Sequence, residues 1–227
     1  MRRSDRRRTR VPLKGLAALL LAALPLTPGR AGPFTAAVVD RDGAPLAGVA
    51  VYFAAVDPDA VPAGPVAAAT MDQLDLEFVP RLLVVQRGAE VDFPNNDTVS
   101  HHVYSFSVPK AFVLPLYKGQ EHRPVRFEQP GIVVLGCNIH DRMLAYILVV
   151  DTPYFAISDL SGQAIVDDIP PGDYRLAAWS PEFNDTRPEM LGNLSLSPAL
   201  ESVSLRIDRL RSAPPAAGNS SLVWGEY

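Results

Sequence analysis

Cys137 is the only cysteine in the chain, and it stands in the run Gly136-Cys137-Asn138-Ile139-His140-Asp141-Arg142-Met143. A thiol, an imidazole and a thioether follow one another at three-residue intervals. Side chains so close in sequence converge only when the segment is a short loop with rigidly held ends. The flanks read as strands. Residues 132–135 are apolar, and residues 144–150 form an unbroken apolar run. A run of that length suits a strand buried on both faces better than a helix. The loop therefore demands a β scaffold with the three side chains at one end of it.

The rest of the chain reads the same way, and the fold class expected is all-β. Residues 36–40 form a strand, with Asp42-Gly43 and Pro45 as its turn. Val49, Val51 and Phe53 alternate in a second strand, and residues 58–65 are a Pro/Ala linker. Residues 82–85 and 90–93 flank Arg87-Gly88-Ala89, which reads as a hairpin-like connection. Further strands are expected at 102–107, 154–157 and 174–179, with turns at Ser161-Gly162 and Pro170-Pro171-Gly172. Val203, Leu205 and Ile207 alternate in a last half-buried strand, and residues 212–227 read as a flexible Pro/Ala/Gly/Ser tail.

The first 31 residues have the layout of a secretory signal peptide. Six arginines and Lys14 precede an apolar stretch from Gly15 to Leu26, and Gly29-Arg30-Ala31 offers a small-x-small cleavage site. The apolar stretch is too short for a stable membrane span. The expected location is periplasmic, with cleavage near Ala31 and no membrane anchor afterwards. Residues 32–227 keep 13 of the 21 Lys and Arg but 24 of the 25 Asp and Glu, a net charge of about −11. Such a chain does not suit nucleic acid or an anionic membrane surface. An unpaired cysteine in an exported protein is a free thiol, an intermolecular bridge or a metal ligand.

Metal ligation fits best. Thiolate, thioether and imidazole are the donors that select copper, and a trigonal site of one cysteine and two histidines with a weak axial methionine is a blue-copper centre. The second imidazole can come from Asn95-Asn96-Asp97-Thr98-Val99-Ser100-His101-His102-Val103 upstream; His101 would arrive from a neighbouring strand. Adjacent residues of a strand point to opposite faces, so only one of His101 and His102 can face the metal. Three of the four histidines lie in these two segments. Zinc would want four firm ligands. A Cys-His hydrolase would need a base and an oxyanion hole that this loop does not supply. His122, beside Glu121 and Arg123, reads as solvated surface.

Residues 70–150 resemble a cupredoxin. The resemblance is carried by Phe78-Val79-Pro80, Val84-Val85, Gly88, Val91, Phe93, Asn96-Asp97 and His101-x-Val103, and by the Cys-x2-His-x2-Met loop, which is similar to that of amicyanin. It implies a Greek-key β-sandwich and a type 1 copper site, Cu(I)/Cu(II), with His101, Cys137, His140 and Met143 as ligands. His102 stands where the family has Asn, Ile139 where amicyanin-like loops have Pro, and Gly136 where an aromatic neighbourhood is usual. The wider pattern His-His-Val-Tyr-Ser-Phe-Ser, Leu-Gly-Cys-Asn-Ile-His-Asp and Thr-Pro-Tyr-Phe resembles bacterial methylamine utilization proteins, a label of association only.

A second resemblance covers the remainder. Val39-x-Asp-x-x-Gly43-x-Pro45-Leu46-x-Gly48-Val49, Ser158-Asp159-Leu160-Ser161-Gly162 and Ile169-Pro170-Pro171-Gly172-Asp173-Tyr174 resemble a carboxypeptidase regulatory-like, prealbumin-like β-sandwich. It implies that residues 33–57 and 152–211 form one small sandwich into which the copper domain, 66–151, is inserted. The alternative makes residues 33–57 extra strands of the copper domain. The function expected is a non-enzymatic carrier of single electrons between redox partners such as a c-type cytochrome or a dehydrogenase. Copper storage, delivery or sensing is the second reading, and an accessory subunit with a drifted site the third.

Overall fold

The computed structural model describes residues 33–60, 64–120, 122–184 and 186–210. The expected signal peptide and the expected C-terminal tail lie outside them. The described residues are all-β, with a single 3-10 turn at Pro58–Ala60 inside the expected linker. The strands of the first half are β1 (Phe34–Asp40), β2 (Ala50–Ala55), β3 (Ala69–Thr70), β4 (Asp72–Leu74), β5 (Glu77–Val79), β6 (Leu82–Gln86), β7 (Glu90–Asp92), β8 (His101–Ser107) and β9 (Lys110–Tyr117). Then come β10 (Val125–Arg126), β11 (Gly131–Gly136), β12 (Leu144–Val150), β13 (Phe155–Ile157), β14 (Gln163–Val166), β15 (Gly172–Trp179), β16 (Glu189–Leu196) and β17 (Ser202–Ile207).

The site is built on a five-stranded sheet of order β6-β12-β11-β8-β9, faced by the small sheet β10-β7-β3. The hairpin-like connection expected at Arg87-Gly88-Ala89 is instead a corner between sheets. β6 pairs in parallel with β12, whereas β7 pairs with β10 and β3. The physical cause is the turn itself. Gly88 takes a φ of 90°, the Ala89 N–H donates to the Gln86 carbonyl, and the Gly88 N–H donates to Phe127 on the opposing layer. The bond from Gly88 to Phe127 carries the chain out of the β6 layer, where a hairpin would have paired β7 with β6.

The remaining strands form a three-stranded sheet, β14-β1-β17, and a four-stranded one, β13-β2-β15-β16. In the sheets, β1 pairs with β14 and β17, and β2 with β13 and β15. Asp159 shapes the turn into β14. Its Oδ1 accepts from the Ser161 and Gln163 N–H groups. Gly162 follows at φ 77°, where an added Cβ would lie 2.6 Å from the Val38 carbonyl oxygen.

Two apolar cores result, and they share one sheet. Phe34, Phe53, Tyr174, Leu176 and Trp179 belong to the first. Phe78, Phe93, Phe127, Leu135 and Ile147 belong to the second, together with Cys137 and Met143. β12 serves both. Leu148 and Val150 face the first core, and Ala145, Ile147 and Val149 face the second. Full burial of a Leu, Ile or Val contributes roughly 1.5–3 kcal/mol, so an apolar run with no polar face is what this position requires.

Candidate metal centre

Cys137 follows the last residue of β11, and Met143 precedes β12, so the loop between them caps one end of the sheet. The Met143 N–H donates to the His140 carbonyl at 3.0 Å, which folds the loop back on itself. Cys137 and Met143 are buried in the second core, His140 is half-buried, and Asn138 and Ile139 face solvent. The loop thus holds its sulfur atoms dry and one imidazole at the rim.

His101 opens β8 and is fully buried. It points inward, as does Val103, while His102 lies on the other side of the strand, half-buried, with its Nδ1 lacking a hydrogen-bond partner among the described residues. His101 is therefore the histidine that joins the loop. Its Nδ1 lies 3.0 Å from Nδ1 of His140, and that atom lies 3.8 Å from Sγ of Cys137. Ligand atoms of His101, Cys137 and His140 all lie within 4.8 Å of one another. His122 stands apart from this group and packs its ring edge-on against Tyr117 at 4.6 Å. That half-buried contact replaces the solvated position expected for it.

The other nitrogen of His101 sets its tautomer. Nε2 lies 2.9 Å from Oδ2 of Asp97, so it carries the proton that the carboxylate accepts. Nδ1 then presents a lone pair to the site. Asp97 is in turn held by the Leu76 N–H at 2.7 Å and by the Thr98 N–H. The Leu76 bond first, and the His101 bond next, keep this carboxyl well below the usual carboxylate range. Behind it, Asn95 accepts from the Asp97 N–H and donates to the carbonyls of Tyr117 and Val99. Asp97 had no assigned role in the sequence. The sequence marks it only as part of the Asn96-Asp97 resemblance, and its contact with His101 is made by the fold of the 97–101 segment.

The donor set meets the demands of copper. Two imidazole nitrogens and a thiol sulfur converge, no carboxylate oxygen belongs to the cluster, and a thioether is buried in the same core. Soft and borderline donors of this kind favour copper over hard cations. A carboxylate on the far nitrogen of a ligating histidine is the usual outer support of such sites.

No family model matches the chain, and no curated protein matches it. Solved structures do. A purple cupredoxin from Nitrosopumilus maritimus is 21% identical, over 36% of this chain and 99% of that one, with a TM-score of 0.33. The reduced state of an amicyanin mutant, P94F, is 21% identical over 37% of this chain and 82% of that one, with a TM-score of 0.33. A copper-containing nitrite reductase from Thermus scotoductus SA-01 is 25% identical over 50% of this chain and 28% of that one, with a TM-score of 0.34.

Proposed function

We propose that this chain is an exported, periplasmic type 1 copper protein that carries single electrons between redox partners such as a c-type cytochrome or a dehydrogenase. The observation that carries the reading is the convergence of His101 Nδ1, His140 Nδ1 and Cys137 Sγ, with His101 fixed from behind by Asp97. Bound copper would supply a one-electron couple, Cu(I)/Cu(II). The chain's residues hold the geometry around it. Cys137 and His140 come from one tied loop, His101 comes from a different strand, and Met143 would supply a weak thioether donor. Ligands held on strand ends rearrange little when charge changes, which suits electron transfer. We read residues 33–57 and 152–211 as a prealbumin-like sandwich interrupted by the copper unit, with no catalytic role assigned to either.

Copper storage, delivery or sensing without electron transfer is the second reading. It is favoured by one observation, the departure at Ile139 in the ligand loop from the expected proline. The visible spectrum of the protein loaded with Cu(II), beside that of Cys137→Ala, separates the two. An intense thiolate-to-copper band lost in the variant is the outcome expected. A colourless complex in the unaltered protein would sink the electron-transfer reading and leave storage.

A further inference from the structure

One donor to Asp97 comes from an unusual turn. β4 and β5 form a hairpin in which Leu74 pairs with Glu77, so Asp75 and Leu76 are its two central residues. Their φ angles are 52° and 62°. Two left-handed residues in a row make the hairpin turn that best matches strand twist, and its second position usually holds glycine. A leucine there is strained by its own Cβ. Its side chain recovers little by burial, being 45% exposed. Backbone strain of this kind points to function where the surrounding structure makes use of it.

Here the backbone N–H is put to use. In a two-residue hairpin the N–H of the second central residue takes no part in the strand ladder and is free to donate elsewhere. The Leu76 N–H donates to Oδ2 of Asp97 at 2.7 Å. The same oxygen lies 2.9 Å from Nε2 of His101. One carboxylate oxygen thus serves a hairpin turn and a ligand imidazole together. The hairpin is also pinned to the segment that carries Asp97. The Asn96 N–H donates to the Gln73 carbonyl, the Gln73 side-chain amide donates to the Pro94 carbonyl, and the Asn96 side-chain amide donates to Oδ2 of Asp72. Leu76 cannot drift from Asp97 without breaking these bonds.

We propose that Leu76 is a positioning residue whose backbone N–H sets the donor strength of His101 and, through it, the reduction potential of the centre. The proposal rests on the copper reading above. A carboxylate behind a ligating imidazole makes that imidazole a stronger donor. An N–H bonded to the same oxygen draws negative charge away from it, so the Leu76 bond moderates the effect of Asp97. A weaker imidazole donor favours Cu(I) over Cu(II), because the more highly charged ion gains more from donation. The Leu76 N–H therefore raises the potential, and its loss lowers it. A glycine at position 76 would supply the same N–H with less strain, which separates the donor from the side chain.

The test uses the copper-loaded full chain with Leu76 replaced by its α-hydroxy acid, an ester that deletes the N–H and keeps the side chain. The ratio of Cu(II) to Cu(I) affinity should rise about tenfold, the loss of one hydrogen bond to a charged group. That ratio reads as a fall of about 59 mV for a one-electron couple. Leu76→Gly should leave the potential unchanged. Two readouts need no metal. In the metal-free chain the His101 Nε2–H proton resonance should move downfield in the ester variant, as its bond to Asp97 tightens, and stay in place in Leu76→Gly. In the unaltered metal-free chain the Leu76 amide should exchange slowly with deuterium although its turn is exposed. A potential and a His101 resonance indifferent to the ester, a shift reproduced by Leu76→Gly, or a freely exchanging Leu76 amide would overturn the role of this N–H and leave the copper reading standing. Absence of a thiolate band in the unaltered chain would overturn the copper reading, and the control of its potential with it, even if both metal-free readouts came out as expected.

Discussion

The two cores differ in what they bury besides hydrocarbon. Around the candidate metal centre, Gln73, Asn95, Asp97, His101 and Ser105 are buried polar residues, and most are tied into one hydrogen-bonded web. The other core buries only the small hydroxyls of Thr152, Ser158 and Ser180 among its polar residues, and its rings meet edge-on at Phe34–Phe53, Phe53–Tyr174 and Tyr154–Tyr174. Buried polar groups are costly unless every partner is present. A core that accepts that cost is holding groups in position, while one that avoids it is simply stable. The shared strand β12 separates the two roles, one on each face.

The comparison breaks most visibly at Trp179, fully buried in the aromatic core. Trp179→Ala should cost about 3–5 kcal/mol by chemical denaturation while leaving the copper–thiolate band in place. Because β6 and β12 belong to both cores, far-UV and fluorescence signals should report one coincident transition; two separate transitions would show the cores to be independent. Asp97→Asn tests the opposite core. It should weaken Cu(II) binding by about ten- to hundredfold, the usual loss on removing a carboxylate behind a ligating histidine. Titration with a competing chelator measures it, and an unchanged affinity would remove Asp97 from the site.

A smaller effect is expected at Gly136→Ala, whose new methyl meets the Tyr104 ring. Overpacking of this kind costs roughly 1–3 kcal/mol, and the double variant with Tyr104→Ala should recover most of it. If the double variant recovers nothing, the contact is not the cause. The smallest effect concerns alkali. Tyr174 is pushed up to about 12 from 10.0, first by burial and then by Tyr154, and its hydroxyl donates to the Pro170 carbonyl. A raised folded value means its contribution is complete below pH 10 and fades as pH rises toward 12. Tyr174→Phe should flatten that alkaline decline in the melting temperature.

Much of this was legible in the chain. The alternation at Val203, Leu205 and Ile207 matches β17, and the apolar run at 144–150 matches the doubly buried β12. β9 is not legible in the chain, because Pro115 argues against a strand; it is tolerated at the sheet edge, where no neighbour needs its missing N–H. β16 is hidden for a related reason, since Gly192 interrupts its pattern at φ 115° on another edge.

Local order alone determined the all-β class, the loop that brings Cys137, His140 and Met143 close, and the fact that only one of two adjacent histidines could join them. Those properties depend on side-chain period and short spacing, which sequence records directly. Tertiary structure decided that the histidine is His101, that Asp97 fixes its tautomer, that Gly88 turns a corner between sheets, and that Tyr104 fills the space above Gly136. Each of these depends on which strand lies beside which and which face turns inward. Strand parity distinguishes two faces but does not say which of them meets the core.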